Sequence, residues 1–188
     1  LERKRERKEA KEREKELYVI FYKEAAPMRY DLVVRGGEVL LDTGFAKADI
    51  AVEGDTIATI APEIEGDART VIDARGKVVL PAAIDAHVHF NEPGRSDWET
   101  VSHGSKALLA GGSSVFFDMP LNSEPCTLDK ESYRQKLERL EGNSYTDFAL
   151  WGGLTPNNLD KLSELAECGV VGFKAFTCFS GLDTFTGI

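Results

Sequence analysis

Two histidines separated by one residue are the side chains best suited to chemistry in this sequence. His87 and His89 lie in the run from Ile84 to Arg95, and Asp85 precedes them. Because side chains alternate across a strand, both imidazoles point to the same face of an extended segment. Neutral imidazole nitrogen is a preferred Zn²⁺ ligand, and a nearby carboxylate commonly orients such a ring. The pattern indicates a divalent metal site; the alternative is two histidines on a polar strand face.

The elements that must position this pair change in character at Pro81. Residues 31–80 contain short β-rich runs broken by Gly and Asp, which predicts hairpins of a small antiparallel β domain over residues 28–80. Residues 81–188 alternate strand and helix, which predicts parallel βαβ units. Strands are predicted at Val78–Ile84, Ser114–Phe117, Asp147–Trp151 and Val170–Phe173, and helices at Trp98–Ala110, Asp129–Leu140 and Asn158–Cys168.

Length favours one parallel architecture. A (β/α)₈ barrel takes about 250 residues, or roughly 31 per unit, and four strands are predicted after residue 77. A doubly wound sheet is the alternative, but the loop after its first strand has no glycine-rich phosphate signature. We therefore expect an α/β fold: the N-terminal half of a TIM-type barrel in residues 81–188, preceded by a small β-sandwich-like domain.

The first residues differ from the rest. Lys and Arg alternate with Glu up to Glu16 without an apolar stripe, which predicts a charged helical or disordered extension over residues 1–27. Met28 directly precedes the first strand pattern, and we interpret it as the original start of the protein.

Composition excludes several functions. The net charge of −9 argues against nucleic-acid binding. No apolar run approaches the length of a membrane span, so a soluble protein is expected. The three cysteines are widely spaced, which is typical of reduced thiols in the cytoplasm. His103, the third histidine, lies in a predicted helix and is expected to be a surface or packing residue.

Three motifs resemble the cyclic amide branch of the amidohydrolase superfamily. Pro81–Arg95 resembles its first-strand signature, Gly111–Ser123 its second-strand motif, and Val171–Phe176 its fourth-strand motif. The combination His-Phe-Asn-Glu-Pro-Gly with Asp-Met-Pro-Leu-Asn-Ser resembles allantoinases. Asn91 stands where dihydroorotases usually carry an arginine for the substrate carboxylate. Ala82 and the Ser114-Val115 pair depart from the usual pattern.

The resemblance implies a function and its ligands. It implies metal-dependent hydrolysis of allantoin to allantoate by a binuclear Zn²⁺ or similar divalent centre. His87, His89 and Lys174 would be ligands, Lys174 as a CO₂-derived carbamate. Burial beside Phe173 and Phe176 would favour the neutral amine that this reaction needs. Asn91 and Asn122 would contact substrate, or Asn122 would support a ligand. Dihydroorotase, hydantoinase or dihydropyrimidinase activity, or a non-catalytic scaffold, are the alternatives.

The resemblance also implies that the machinery is incomplete here. The later histidine ligands and the proton-shuttling aspartate are expected beyond Ile188, so no catalytic base is expected within these residues. We expect the 188 residues alone to be inactive and poorly folded, and the parent protein to be a homo-oligomer that acts on a small molecule.

Overall fold

The computed structural model describes residues 30–188. These residues divide into two compact units, with the boundary in the chain between Pro81 and Ala82. The extension predicted for residues 1–27 lies outside the described residues. Each unit has its own buried apolar clusters. Together they form the mixed α/β structure that the sequence predicts.

The first unit is one five-stranded sheet. Its strands are β1 (Tyr30–Leu41), β2 (Gly44–Glu53), β3 (Thr56–Ala61), β4 (Ala68–Asp73) and β5 (Val78–Val79). The order is β3-β2-β1-β4, and β5 also pairs with β1. One buried apolar cluster of this unit is formed by Tyr30, Val33, Ala51 and Ile64. The second layer of the expected sandwich is not among residues 30–81.

Two expectations for this unit are wrong. The sheet is mixed rather than antiparallel, because β4 and β5 both run parallel to β1. In addition, Gly36 and Gly37, two of the glycines expected to break the β-rich runs, do not end the first strand; they form a bulge within β1, where the pairing with β2 shifts register. Gly36 has a φ of 68°, a conformation that glycine adopts without strain.

The second unit begins with three parallel strands, β6 (Ala83–Val88), β7 (Ser113–Asp118) and β8 (Asp147–Leu150), in the order β6-β7-β8. A short strand, β9 (Gly152–Gly153), follows directly after β8. It pairs in parallel with a second short strand, β10 (Phe173–Lys174), which comes after the last helix. The backbone N–H of Val171 donates to the carbonyl of Leu150 at 3.0 Å, which ties the β10 segment to the end of β8. Four parallel segments therefore follow one another in chain order.

One predicted strand is divided between the two units. Val78–Ile84 was expected as a single strand, but Val78–Val79 pairs with β1 and the next strand starts at Ala83. Pro81 lies between them, and proline has no N–H to donate to a ladder.

Three α-helices connect these strands, and their caps explain their bounds. They are α1 (Val101–Ala110), α2 (Lys130–Leu140) and α3 (Leu162–Cys168), the last preceded by a 3₁₀ turn at Leu159–Lys161. The Thr100 hydroxyl caps α1, so this helix starts three residues later than predicted. Asp129 and Ser132 form a capping box at the start of α2. Gly169 ends α3 with a φ of 93°, as predicted.

A buried apolar cluster of the second unit lies between the sheet and helices α1 and α2. Phe90 packs edge-to-face against the buried Phe116, with ring centroids 4.7 Å apart. The α1 backbone approaches Phe90 at Gly104, where a Cβ atom would overlap the ring. The chain that follows the histidine pair is therefore clamped between a strand and a helix.

We expect Gly104→Ala to lower the free energy of unfolding by about 1–3 kcal/mol, because neither Phe90 nor Phe116 has room to move. In an exposed helix the same substitution would instead raise the stability by about 1 kcal/mol, because alanine has a higher helix propensity than glycine. The expected net loss therefore measures the overlap with the Phe90 ring. Urea denaturation of Gly104→Ala measures this change in the free energy of unfolding, with Ser102→Ala in the same helix as the control. Equal stability of the two variants would contradict the close packing.

Candidate metal centre

The histidine pair lies at the carboxyl end of β6. His87 is within the strand and His89 follows it, with ring centroids 5.4 Å apart and ring planes inclined by 51°. His87 is exposed and His89 is half-buried. The alternation inferred from the sequence thus brings two imidazoles side by side at a sheet edge that solvent reaches.

Three hydrogen bonds fix the backbone around this pair. The N–H of His87 donates to Asp85 at 3.1 Å, and the indole N–H of Trp151 donates to the carbonyl of Ala86 at 3.1 Å. The N–H of Phe90 donates to Asp118 Oδ1 at 3.2 Å. The expectation that Asp85 orients a histidine ring is therefore wrong, because its carboxylate accepts from the backbone instead.

The His89 ring is placed against the loop that follows β7. Its Nδ1 lies 3.4 Å from the carbonyl oxygen of Leu121 and 3.4 Å from Nδ2 of Asn122. Burial lowers the pKa of His89, so the ring is held in the neutral form that a metal requires. Because Nδ1 faces this loop, Nε2 is the nitrogen available to a ligand.

A buried ion pair lies under the same loop. Lys136 Nζ is 3.1 Å from Asp118 Oδ2, and both side chains are 1% exposed. The ammonium also donates to the carbonyl of Met119 at 2.5 Å and lies 3.5 Å from the Ser123 hydroxyl. One lysine therefore joins the end of β7 to the loop that contacts His89.

Lys174 is at the end of β10, on the fourth parallel segment. It is half-buried, and its Nζ lies 4.8 Å from the centroid of the Phe176 ring. Carboxyl ends of adjacent parallel strands meet at one edge of a sheet. His103, in contrast, is exposed on α1, where its Nδ1 is 2.9 Å from Glu99.

Both candidate substrate-binding asparagines have left-handed backbones. The φ of Asn91 is 62° and that of Asn122 is 69°. Asparagine tolerates this conformation better than most residues, which is one structural reason for its presence at each position. The side chain of Asn91 is buried, at 8% exposure, whereas the Asn122 amide contacts His89. Asn122 therefore lies against the ring of His89, one of the candidate ligands.

Sequence reasoning missed the role of Glu92, which is 2% exposed. Its carboxylate accepts from the Val101 N–H, the Ser96 hydroxyl and the Arg139 guanidinium at 2.7–2.9 Å. Burial opposes ionisation of this group, but the hydrogen bonds outweigh it and hold the Glu92 pKa below its usual value. Glu92 therefore anchors the loop after His89 to α1 and α2.

We expect Glu92→Gln to lower the free energy of unfolding by about 1.5–3 kcal/mol at pH 7, because it weakens hydrogen bonds to a charged group. Since folding lowers the pKa, this stabilisation is complete above the ordinary value of 4.5 and is lost as the pH falls through the folded-state pKa. Chemical denaturation at several pH values, with the exposed Glu138→Gln as control, measures it. A deficit that persists unchanged at pH 3 would contradict this role.

Within residues 30–188, no three His, Cys, Asp or Glu side chains are gathered into a cluster that could hold a metal ion. The side-by-side imidazoles of His87 and His89 fit a divalent ion, but they need further ligands. No helix in the same range is long and apolar enough to cross a membrane.

Known proteins resemble this chain over most of its length, although no family model matches it. It is 58% identical over 156 residues to an allantoinase of Desulfitobacterium hafniense, covering 83% of this chain and 35% of that protein. It is 54% identical to an allantoinase of Solibacter usitatus, covering 82% of this chain and 34% of the relative. The chain spans about a third of the length of these curated relatives.

A solved structure shows the same fold. The L-hydantoinase (dihydropyrimidinase) from Arthrobacter aurescens superposes with a TM-score of 0.75 at 28% identity, covering 85% of this chain and 36% of that one. The resemblance inferred from the three motifs is thereby confirmed. The chain is thus similar to allantoinases in sequence and to a hydantoinase in fold, and it matches about a third of the length of these proteins.

Proposed function

We propose that the full-length gene product containing this chain is a metal-dependent cyclic amidohydrolase that opens the ring of allantoin to give allantoate. The observation that carries this proposal is the 58% identity to an allantoinase over 156 residues. The adjacent imidazoles of His87 and His89 at an open strand edge supply suitable chemistry.

In this proposal, His87 and His89 donate imidazole nitrogens to a binuclear Zn²⁺ or similar centre. Lys174, carbamylated by CO₂ at Nζ with loss of a proton, would supply a carboxylate-like ligand to the same centre. Such a centre, when bound, makes a water molecule acidic enough to attack and polarises the ring carbonyl.

The same proposal interprets the second unit as half of a TIM-type barrel. Four parallel segments in chain order, with α1, α2 and α3 between or after them, support this. Carboxyl strand ends are where such barrels carry their active sites, and His87, His89 and Lys174 all lie at strand ends. The free thiols of Cys126, Cys168 and Cys178 support a reducing, cytoplasmic location.

A second candidate, hydrolysis of hydantoins or dihydropyrimidines, is favoured by the TM-score of 0.75 with the hydantoinase. A substrate panel separates the two. The Zn²⁺-loaded full-length protein is assayed with allantoin, hydantoin, dihydrouracil and dihydroorotate. We expect the largest kcat/KM for allantoin; a preference for any of the other three would overturn the assignment, and no turnover of any would favour a non-catalytic scaffold.

Asn91→Gly tests whether the Asn91 amide contacts substrate. Glycine keeps the backbone at a φ of 62° without strain, so only the amide is lost. If the amide binds allantoin, KM should rise by about tenfold, the equivalent of one lost hydrogen bond. Thermal stability should stay close to that of the parent. An unchanged KM would mean that Asn91 serves only the backbone.

A further inference from the structure

The ion pair of Lys136 and Asp118 lies deeper than the histidine pair, yet both of its members connect to His89. Asp118 Oδ1 accepts the N–H of Phe90, the residue that follows His89. Asp118 Oδ2 lies 3.1 Å from Lys136 Nζ. The pair thus acts on the backbone beside one proposed ligand.

Lys136 is also connected to the His89 ring, through the segment that follows β7. Its ammonium donates to the carbonyl of Met119 and lies 3.5 Å from the Ser123 hydroxyl, at the two ends of the segment Met119–Ser123. That segment is also joined to β6, since the Met119 N–H donates to the Val88 carbonyl at 2.9 Å. Leu121, in its middle, presents its carbonyl oxygen to Nδ1 of His89.

Two partners compete for this nitrogen, and they demand opposite tautomers. If Nδ1 carries the proton, it donates to the Leu121 carbonyl, and the lone pair of the ring is at Nε2. If Nε2 carries the proton, Nδ1 can instead accept from the Asn122 amide, which lies at the same 3.4 Å. Only the first tautomer leaves the outward nitrogen free to bind a metal.

We propose that Lys136, through its buried pair with Asp118, is a positioning residue that holds the Leu121 carbonyl against His89 and so fixes the tautomer whose Nε2 is free for the metal. Metal binding at His89 rests on the proposed function, whereas the tautomer of the His89 ring is a property of the metal-free protein and does not. The partner of a ligand histidine's second nitrogen fixes its tautomer and orientation, and losing such partners typically costs 10–100-fold in metal affinity.

The wild-type, metal-free, full-length protein gives the first test. Histidine-selective ¹⁵N labelling and long-range ¹H–¹⁵N correlation at pH 8 report which ring nitrogen carries the proton, and the His89 signal is assigned by its loss in His89→Gln. We expect the proton on Nδ1. A proton on Nε2 in the wild type would overturn the proposal, whatever the enzyme's activity.

Variants give the second test. In Lys136→Met, we expect a mixture of His89 tautomers and a 10–100-fold weaker Zn²⁺ affinity in chelator competition. Lys130→Met, an exposed change in the same helix, should match the wild type. If Lys136→Met does not fold, the double variant Asp118→Asn/Lys136→Met removes both charges while keeping an acceptor for the Phe90 N–H. Wild-type tautomer and Zn²⁺ affinity in a folded variant lacking the ammonium would contradict the proposal.

The outcomes separate this inference from the proposed function. A wild-type protein with Nδ1 protonated and Lys136-dependent, but without Zn²⁺ binding or allantoin hydrolysis, would refute the function and leave the positioning role standing. If the protein is a metal-dependent allantoinase but its His89 tautomer and Zn²⁺ affinity are independent of Lys136, the positioning role is refuted and the proposed function stands.

Discussion

Alanine in place of His87 or His89 in the full-length gene product is expected to abolish both metal loading and allantoin hydrolysis. Each imidazole is proposed as a direct ligand, and the two rings are already adjacent, at 5.4 Å between centroids. Loss of a ligand should therefore exceed the 10–100-fold loss that follows removal of a residue that merely supports one. Metal content after gel filtration and the rate of allantoate release are the two readouts.

The matched control for this experiment is His103→Ala. His103 is exposed on α1 and paired with Glu99, so its loss should leave metal content and turnover unchanged. If His87→Ala or His89→Ala kept full metal content and full turnover, the metal centre would have to lie elsewhere. If all three variants lost activity equally, the effect would not be specific to the candidate ligands.

Lys136→Met is expected to cause the largest loss of stability among the single changes considered. Asp118 and Lys136 are each 1% exposed, so removing the ammonium leaves a buried carboxylate without its counter-charge. Breaking such a pair typically costs 3–5 kcal/mol. Equilibrium denaturation of the metal-free protein should show a loss of about that size, because the effect does not depend on bound metal.

The double variant distinguishes an unpaired charge from a simple loss of packing. Asp118→Asn/Lys136→Met leaves no buried charge, and we expect it to regain most of the stability lost in the single variant. The exposed Lys130→Met should change stability by no more than about 0.5 kcal/mol. A single variant as stable as the control would show that the pair contributes nothing to folding.

Local patterns were sufficient for the features that depend on neighbouring residues. The period of two placed His87 and His89 together, because strand geometry alone dictates that relation. The predicted C-terminal ends of α2 and α3, at Leu140 and Cys168, are the observed ones, since helix termination depends on local interactions. Parallel pairing of β4 and β5 with β1 was not foreseen, because register between distant segments depends on the whole sheet.

The supporting residues of the site show where sequence reasoning stops. Lys136 lies in a highly charged helix and would be taken for a solvated residue, yet it shares a helical face with Tyr133, Leu137 and Leu140. Its position at apolar spacing was an available signal. Nothing local, however, indicates that Asp118 from another element would be its partner. Likewise, the left-handed backbone of Asn91 cannot be read from residue type alone.

The metal-loaded full-length protein, crystallised and measured at the zinc absorption edge, tests the central claim most directly. The account predicts anomalous zinc density in contact with the His87 ring, with His89 Nε2 and with a carbamate on Lys174 Nζ. Because free lysine and a carbamate differ in shape at Nζ, the same map reports the modification. Stoichiometric zinc bound away from both histidines, or an unmodified Lys174 remote from any metal, would contradict it.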